Sequence, residues 1–454
     1  MKKDRLKNEL KNLIKKIKRG KVLTGKELAL ILKKITNREL KPGGPYLDFK
    51  LKKPDLKLNI LIGEFLKTQK VVLPNLEKFI NEKTSNRVKI KSHKQKTPSN
   101  QRMDLSQKKE NTEIKKIFKL AKNELKNLPK EFQQEIIKVI KETAKNNPDK
   151  QMLLLPYYFY KSLDLESAQE FRQEEFKEKE KLITKLGLIN TYFWSAFIIY
   201  DDFWDEDEKA RPKLLPVANF MSRNLIEFYL SEFQKYKDYQ KYYQELLNNS
   251  DYANFFETIN GRFKNNLIKN KKLNLEEINL INYKDYKIKF FPAGAHILGP
   301  LLIMAHLGFK VKSKEVRNLE NFFINYLIAR QLNDDLYDFE EDLARGNLSS
   351  AVNETLIQAE SQGYKQVNED GLKKIFWLKT LKILSKEIIK KTKLAENYLK
   401  KVKMIKKPEP LLRFSDLARA SALKALKERK ETLDFIREIK ENLNDDKISS
   451  KANC

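Results

Sequence analysis

Apolar residues recur along this chain at intervals of three and four. Leu10, Leu13, Ile14 and Ile17 form one such stripe near the start, and from residue 113 the helical rhythm runs almost unbroken to residue 445. It predicts helices over roughly 112–125, 130–146, 150–163, 165–178, 180–204, 216–248, 250–268, 275–287, 290–308, 313–343, 353–360, 370–404 and 411–443. The connectors, such as NNPD and KKPEP, are short. No series of alternating segments marks strands, and no long period repeats, which argues against sandwiches and solenoids. The expectation is one all-α domain over 113–445, built as a large helical bundle.

The stretch before it has another character. KPGGP and KKPD interrupt residues 37–60, and residues 90–112 are polar with almost no large apolar side chain. We therefore expect a basic segment of uncertain fold over 1–89, a polar linker over 90–112 and a disordered tail over 446–454. Residues 1–100 hold 28 Lys/Arg against 9 Asp/Glu, so they supply 19 of the chain's net +30. They contain only four of its aromatic residues, Tyr46, Phe49, Phe65 and Phe79. Such a segment reads first as a solvated basic tail, and next as one that meets an anionic membrane surface electrostatically. Nucleic acid is the weaker expectation, because no recognition motif is present and few rings are available for base stacking.

The one cysteine, Cys454, excludes an internal disulfide or a cysteine metal site, and the N-terminal residues lack a signal-peptide core. These features predict a cytoplasmic protein, with peripheral contact at the inner membrane face as the variant the basic segment allows. Residues 290–309 carry no Asp, Glu, Lys or Arg, but include two His, two Pro and three Gly between charged flanks. They are expected as a buried core helix, with His296 and His306 as core or wall residues.

Two acidic groups change the picture. In YDDFWDEDE (200–208), Asp201 and Asp205 are four residues apart, with Asp202 at the edge of the same face. The group ends the apolar run YFWSAFIIY. In RQLNDDLYDFEEDLARGN (330–347), Asp334 and Asp338 repeat the spacing, accompanied by Asp335, Glu340, Glu341 and Asp342, again after a largely apolar helix. Like charges at that spacing repel on a helix. A solvated acidic face explains either group alone. Two such groups at the ends of apolar helices instead suggest facing carboxylates that hold hard divalent cations, Mg²⁺ or Mn²⁺, through oxygen ligands.

These motifs resemble those of the class I isoprenoid synthase superfamily, and most closely the polyprenyl (isoprenyl diphosphate) synthases. Asp201, Asp202 and Asp205 match the first DDxxD motif, and Arg211 falls where the second arginine following it belongs. Gln331, Asp334, Asp335 and Asp338 match the second motif, QxxDDxxD. YKIKFFPAGAHILGP resembles the segment that carries the family's lysine, with Lys287 in that role and Lys289 as its near competitor. Lys150 stands for the lysine of an early GKRxRP stretch, but Gln151 and Leu153 replace its arginines. Asn333, Asp334 and Glu341 also fit a terpene-cyclase metal motif, with Tyr337 in place of its hydroxyl residue, and the RGN that follows resembles squalene and phytoene synthases.

The resemblance implies a helical bundle around a central cavity, in which an Mg²⁺-dependent prenyltransferase ionises an allylic diphosphate and condenses it with isopentenyl diphosphate. It implies Asp201, Asp205 and Asp334 as catalytic metal ligands, with Asp202, Asp335, Asp338 and Glu341 beside them, and Lys287 as the catalytic cation. Arg211, Lys150, Gln331 and Lys289 would contact the substrates. Phe197, one turn or about 5.4 Å below Asp201, and Phe193 behind it would floor the cavity and limit the product to about C10–C20. A terpene cyclase or a squalene/phytoene-like synthase is the alternative on the same fold. Members of the family commonly pair as homodimers. Arg413 is expected to be a plain exposed residue.

Overall fold

The computed structural model describes residues 100–147, 149–163, 173–204, 210–262, 268–269 and 272–451. The basic segment 1–89 lies outside the described residues. So do positions 205–209, which include Asp205.

The fold is mostly helical. Helix α1 (Asn100–Leu125) takes in residues 100–112, which the sequence assigned to the linker. It is followed by α2 (Lys130–Lys145), α3 (Gln151–Ser162), α4 (Gln173–Trp204), α5 (Leu215–Phe233) and α6 (Lys237–Asn260). A 3₁₀ segment (Lys284–Ile297) leads into α7 (Leu298–His306), α8 (Lys314–Tyr337), α9 (Phe339–Arg345) and α10 (Ser350–Glu360). Then come α11 (Glu369–Ile375), α12 (Leu381–Leu399) and α13 (Glu409–Lys451), the last of which runs through positions 446–451, expected as tail.

A small antiparallel sheet corrects the purely helical expectation. Its strands are β1 (Ile268–Lys269), β2 (Lys272–Asn274) and β3 (Gln366–Asn368), in the order β1-β2-β3. Its strands occupy the connectors expected at 269–274 and 361–369, overlapping an expected helix only at Ile268. The helix stops at Asn260, and Gly261 follows it.

The core explains the packing. Helix α3, QMLLLPYYFYKS, is apolar all round and almost wholly buried, as a central helix must be. It packs against α4, which also packs along α5; α8 packs along α12 and against the 3₁₀ segment. Gly187 of α4 permits a close approach, since a Cβ there would stand 2.6 Å from Ile117 Cδ1 and 2.8 Å from the Leu153 carbonyl. Ser313 caps α8 by accepting from Val316 N at 3.3 Å. Two stretches, Glu180–Trp204 and Lys284–His306, are long and apolar enough to cross a membrane, but 72% and 89% of their apolar windows are buried in the fold.

The 3₁₀ segment is the main local departure from the expected pattern. Asp285 and Tyr286 adopt left-handed backbone, with φ of 60° and 55°. The Asp285 carbonyl accepts from Lys391 Nζ at 3.0 Å, which holds the kink. Just before it, Asn353 pins Ile281 in both directions, accepting from its N–H and donating to its carbonyl at 2.8 Å each.

Candidate active site

The C-terminal ends of α4, α6 and α8 meet the 3₁₀ segment and the loop 347–349 around a cavity of ≈ 350 Å³. Asp201 borders it from α4; Asp334, Asp335 and Asp338 border it from the end of α8, and Asp342 from α9. Both acidic groups thus reach one space, although they are 133 residues apart in the chain. Gln331 also lines it. Trp194, Phe197 and Trp204 supply an aromatic wall on the α4 side, with the Phe197 ring 5.9 Å from Trp194 and 6.3 Å from Trp204.

Other expected site residues lie elsewhere. Asp202 is half-buried outside the lining, and Phe193 sits behind Phe197 with their rings 6.0 Å apart. Glu341 is exposed and bound by Arg345 at 2.6 Å. Arg211 is exposed, at the turn before α5. Lys150 caps α3 in left-handed backbone, and its Nζ reaches Glu110 at 3.1 Å on α1, away from the cavity. Arg413, expected as exposed, is part-buried. It reaches the same Glu110 at 3.2 Å and the Asp149 carbonyl at 2.8 Å.

The lysine assignment needs correction in position. Lys287 is exposed and off the lining, whereas Lys289 is buried and borders the cavity. A 3₁₀ helix has about three residues per turn, so residues two apart point about 240° around the axis from one another. Only one of the two can face inward. Lys289 Nζ stands 2.8 Å from Glu257 Oε1 and 3.5 Å from Asp335 Oδ2, over the Tyr283 ring at 5.2 Å. Burial alone would lower its pKa, but Asp335 and Glu257 more than offset that and hold it well above the ordinary value. Asp335 is fixed in turn by the Ser350 N–H at 2.8 Å.

Sequence reasoning missed Glu257, Trp194 and Arg330 in these roles, and named Asp342 only as a companion in the second acidic group. Glu257 follows no motif; it arrives because α6 ends at the cavity. Trp194 is held by donating its Nε1–H to His296 Nδ1 at 2.8 Å. His296 is fully buried behind Trp194 and off the cavity lining, and burial followed by Arg330 pushes its pKa well below the ordinary value, so it is a neutral core residue. His306 lies away from the cavity, beside Tyr236 and Glu232.

The acids carry unbalanced charge. Asp334 is half exposed where it meets the cavity; the protein packed around it still raises its pKa to about 6 through burial, with Arg330 opposing and Asp335 adding to the rise. Burial, then Asp334, raises Asp338 to about 7. Burial, then Asp335, raises Asp342 to about 7.

This donor set suits hard divalent cations: it is all oxygen, anionic and open on one side. Among the described residues, no three His, Cys, Asp or Glu side chains are placed so that they could together hold a metal ion. An ion at these acids would need oxygens from a bound molecule and from water to complete its shell.

The raised pKa values set the sign of a pH effect. Because Asp334, Asp338 and Asp342 titrate above the unfolded value of about 3.9, their contribution is fully present below that pH. It is lost as pH rises through about 6–7. The metal-free chain is expected to melt at lower temperature at pH 8 than at pH 5, with Asp338→Asn flattening the trend and Mg²⁺ plus pyrophosphate reversing it. Scanning calorimetry across that range checks this, and an identical slope in Asp338→Asn refutes the assignment.

Compared with known proteins, the chain matches no family model and no curated protein.

Proposed function

We propose that the chain is an Mg²⁺-dependent prenyltransferase that ionises an allylic diphosphate and passes the allylic group to isopentenyl diphosphate. The observation that carries this reading is the convergence of Asp201 with Asp334 and Asp338 on one cavity whose wall is aromatic. Asp201, Asp334 and Asp338 would hold the cations, joined by Asp205. Bound Mg²⁺ supplies Lewis-acid neutralisation of the departing diphosphate. Lys289, positioned by Glu257 and Asp335, adds a point charge at the same rim. Phe197 excludes water below the acids and offers its ring to a cationic chain, while Trp194 carries the Arg330 guanidinium. Phe197 limits the depth available to the product.

A second reading has an observation of its own. The GKRxRP-like stretch offers no cationic pocket to a second diphosphate. Lys150 is engaged by Glu110, and Gln151 is buried between Asp149 and the Tyr326 hydroxyl. Leu153 is in the core. This favours a synthase using one or two allylic diphosphates, with a substrate double bond as the nucleophile.

Incubation with five-, ten- and fifteen-carbon allylic diphosphates and Mg²⁺, with and without isopentenyl diphosphate, separates the readings by mass spectrometry. A product longer by one isoprene unit, formed only with isopentenyl diphosphate, supports transfer. A hydrocarbon or alcohol formed without it supports the second reading. If no allylic diphosphate releases pyrophosphate, both fail.

A further inference from the structure

Three non-glycine positions among the described residues have left-handed backbone, and two of them, Asp285 and Tyr286, are consecutive. That geometry crowds Cβ against the following carbonyl, and a bulky residue such as tyrosine is an unusual occupant. Such conformations persist only where the surroundings over-determine them. The pair stands at the start of the segment that carries Lys287 and Lys289.

The holding contact comes from α12. Lys391 Nζ donates to the Asp285 carbonyl at 3.0 Å, across 106 positions of the chain. Lys391 is only 8% exposed. The Glu387 carboxylate stands 3.9 Å from it, too far for a hydrogen bond, and is shared with Lys390 at 3.2 Å. Burial lowers the pKa of Lys391, with Glu387 opposing. A buried ammonium aimed at a backbone carbonyl fixes the backbone more than it balances charge.

The turn leads directly to the site. The Tyr286 ring stacks on Tyr283, with centroids 6.1 Å and planes 16° apart. Tyr283 donates its hydroxyl hydrogen to the Leu348 carbonyl at 2.8 Å and lies beneath Lys289 Nζ at 5.2 Å. Lys289 then reaches Glu257 and Asp335, while Lys287 faces out. On a 3₁₀ helix a rotation of about 120° carries Lys287 to the direction that Lys289 holds. Relaxation of the two strained residues supplies a route to such a rotation.

We propose that Lys391 is a positioning residue: by binding the Asp285 carbonyl it holds the paired left-handed turn and so places Lys289, rather than Lys287, in the cavity. The placement is a property of the fold; that turnover depends on it rests on the metal–diphosphate reading above.

The test is brief acetylation of the folded full chain with acetic anhydride, with the rate at each lysine read by peptide mass spectrometry. Wild type is compared with Lys391→Met, Lys391→Gln and Lys391→Arg. In wild type, Lys287 should react at least about tenfold faster than Lys289, which is buried and must open locally to be reached. Lys391→Met should cut that ratio by about tenfold, the weight of one charge-assisted hydrogen bond. Lys373 of α11, whose side chain is 17% exposed, should keep its rate within about twofold, because only general destabilisation would speed it. Lys391→Arg keeps a charged donor and should hold the ratio within about threefold of wild type. Adding Asp285→Gly to Lys391→Met should restore part of the ratio, since glycine takes left-handed backbone without strain. If Lys391→Met does not fold, Lys391→Gln, with a shorter and uncharged donor, takes its place, and a fall of at least about threefold is expected.

A ratio within about twofold of wild type in every folded variant overturns the proposal, as does a parallel rise in the rates of Lys289 and Lys373. Pyrophosphate release from an allylic diphosphate should fall with the ratio. If it keeps the wild-type rate while the ratio collapses, the placement has no bearing on the reaction and the proposal is also overturned. A wild-type chain that releases no pyrophosphate, in a series whose ratio moves as expected, sinks the metal–diphosphate reading and leaves the placement standing.

Discussion

Asp334→Asn is expected to lose at least about a thousandfold in turnover while remaining folded, with Asp201→Asn close behind it. That factor corresponds to roughly 4 kcal/mol of transition-state stabilisation, a reasonable share for one ligand of a charge-neutralising metal cluster. The amide keeps the shape of the carboxylate but not its charge, so the change removes metal affinity rather than packing. Asp334 is raised to about 6 by burial and by its acidic neighbours, with Arg330 opposing. Neutralising it therefore relieves repulsion in the metal-free protein. The metal-free melting temperature of Asp334→Asn at pH 7.5 should equal or exceed that of wild type, and the increment on adding Mg²⁺ with pyrophosphate should shrink. Turnover assays and thermal melts read these two effects separately. The metal-site reading fails if both variants retain more than about a tenth of wild-type activity, a barrier change under 1.4 kcal/mol.

Much of this geometry was legible in the sequence for a simple reason. Asp334 lies in the last turn of a regular α-helix and Asp338 caps its end, where a spacing of four keeps them near one face, and Asp201 lies in the last turn of another with an aromatic run above it. Periodicity could therefore place them at the rim of a core before any coordinates. The same logic found Phe197 on the wall, one turn below Asp201. It failed where the backbone left the α-helical period. The stretch 275–287 lacks a strong breaker until Pro292, yet it forms a short 3₁₀ turn, irregular chain and the start of the 3₁₀ segment, because Asn353, Lys391 and the pairing of the preceding β2 with β3 fix it from elsewhere. Leu273 opposite Val367 buries the apolar side of that pairing, a long-range contact no local pattern announces.

Single cations were the least legible feature. A lysine or arginine reads the same in sequence whether it faces water or a cavity, and its partner fixes its role. Lys150 matches a motif position but finds Glu110, brought by α1 from 40 residues away. Arg330 matches no motif but finds Trp194 and Asp334. Glu257 is one acid among several near the end of α6, and only the meeting of that end with the 3₁₀ segment makes it the partner of Lys289.

The pair Lys287 and Lys289 gives the sharpest test of that point, because two residues of one type stand two positions apart with opposite surroundings. Lys289→Met should cost about 2–4 kcal/mol in stability. The loss of a buried cation strands Glu257 and Asp335, and the figure is reduced because Glu257 stays about one-third exposed. Folded Lys289→Met should also turn over at least about a hundredfold more slowly, a change of roughly 2.7 kcal/mol in barrier. Lys289→Arg, which restores charge at that point, should recover stability better than turnover, since a planar fork cannot reproduce a compact ammonium between two carboxylates and the cavity. Lys287→Met, by contrast, removes an exposed side chain and should shift stability by no more than about 0.5 kcal/mol. Its turnover should stay within about twofold of wild type. Denaturant melts and steady-state rates on the three variants settle the assignment. Should Lys287→Met lose turnover while Lys289→Met keeps it, the segment must rotate on binding substrate, and the inward-facing lysine seen here is not the one that acts. Should both lysines prove dispensable in turnover, the rim's positive charge must come from Arg330 and the bound cations alone, and Lys289 serves to hold Glu257 and Asp335 in place.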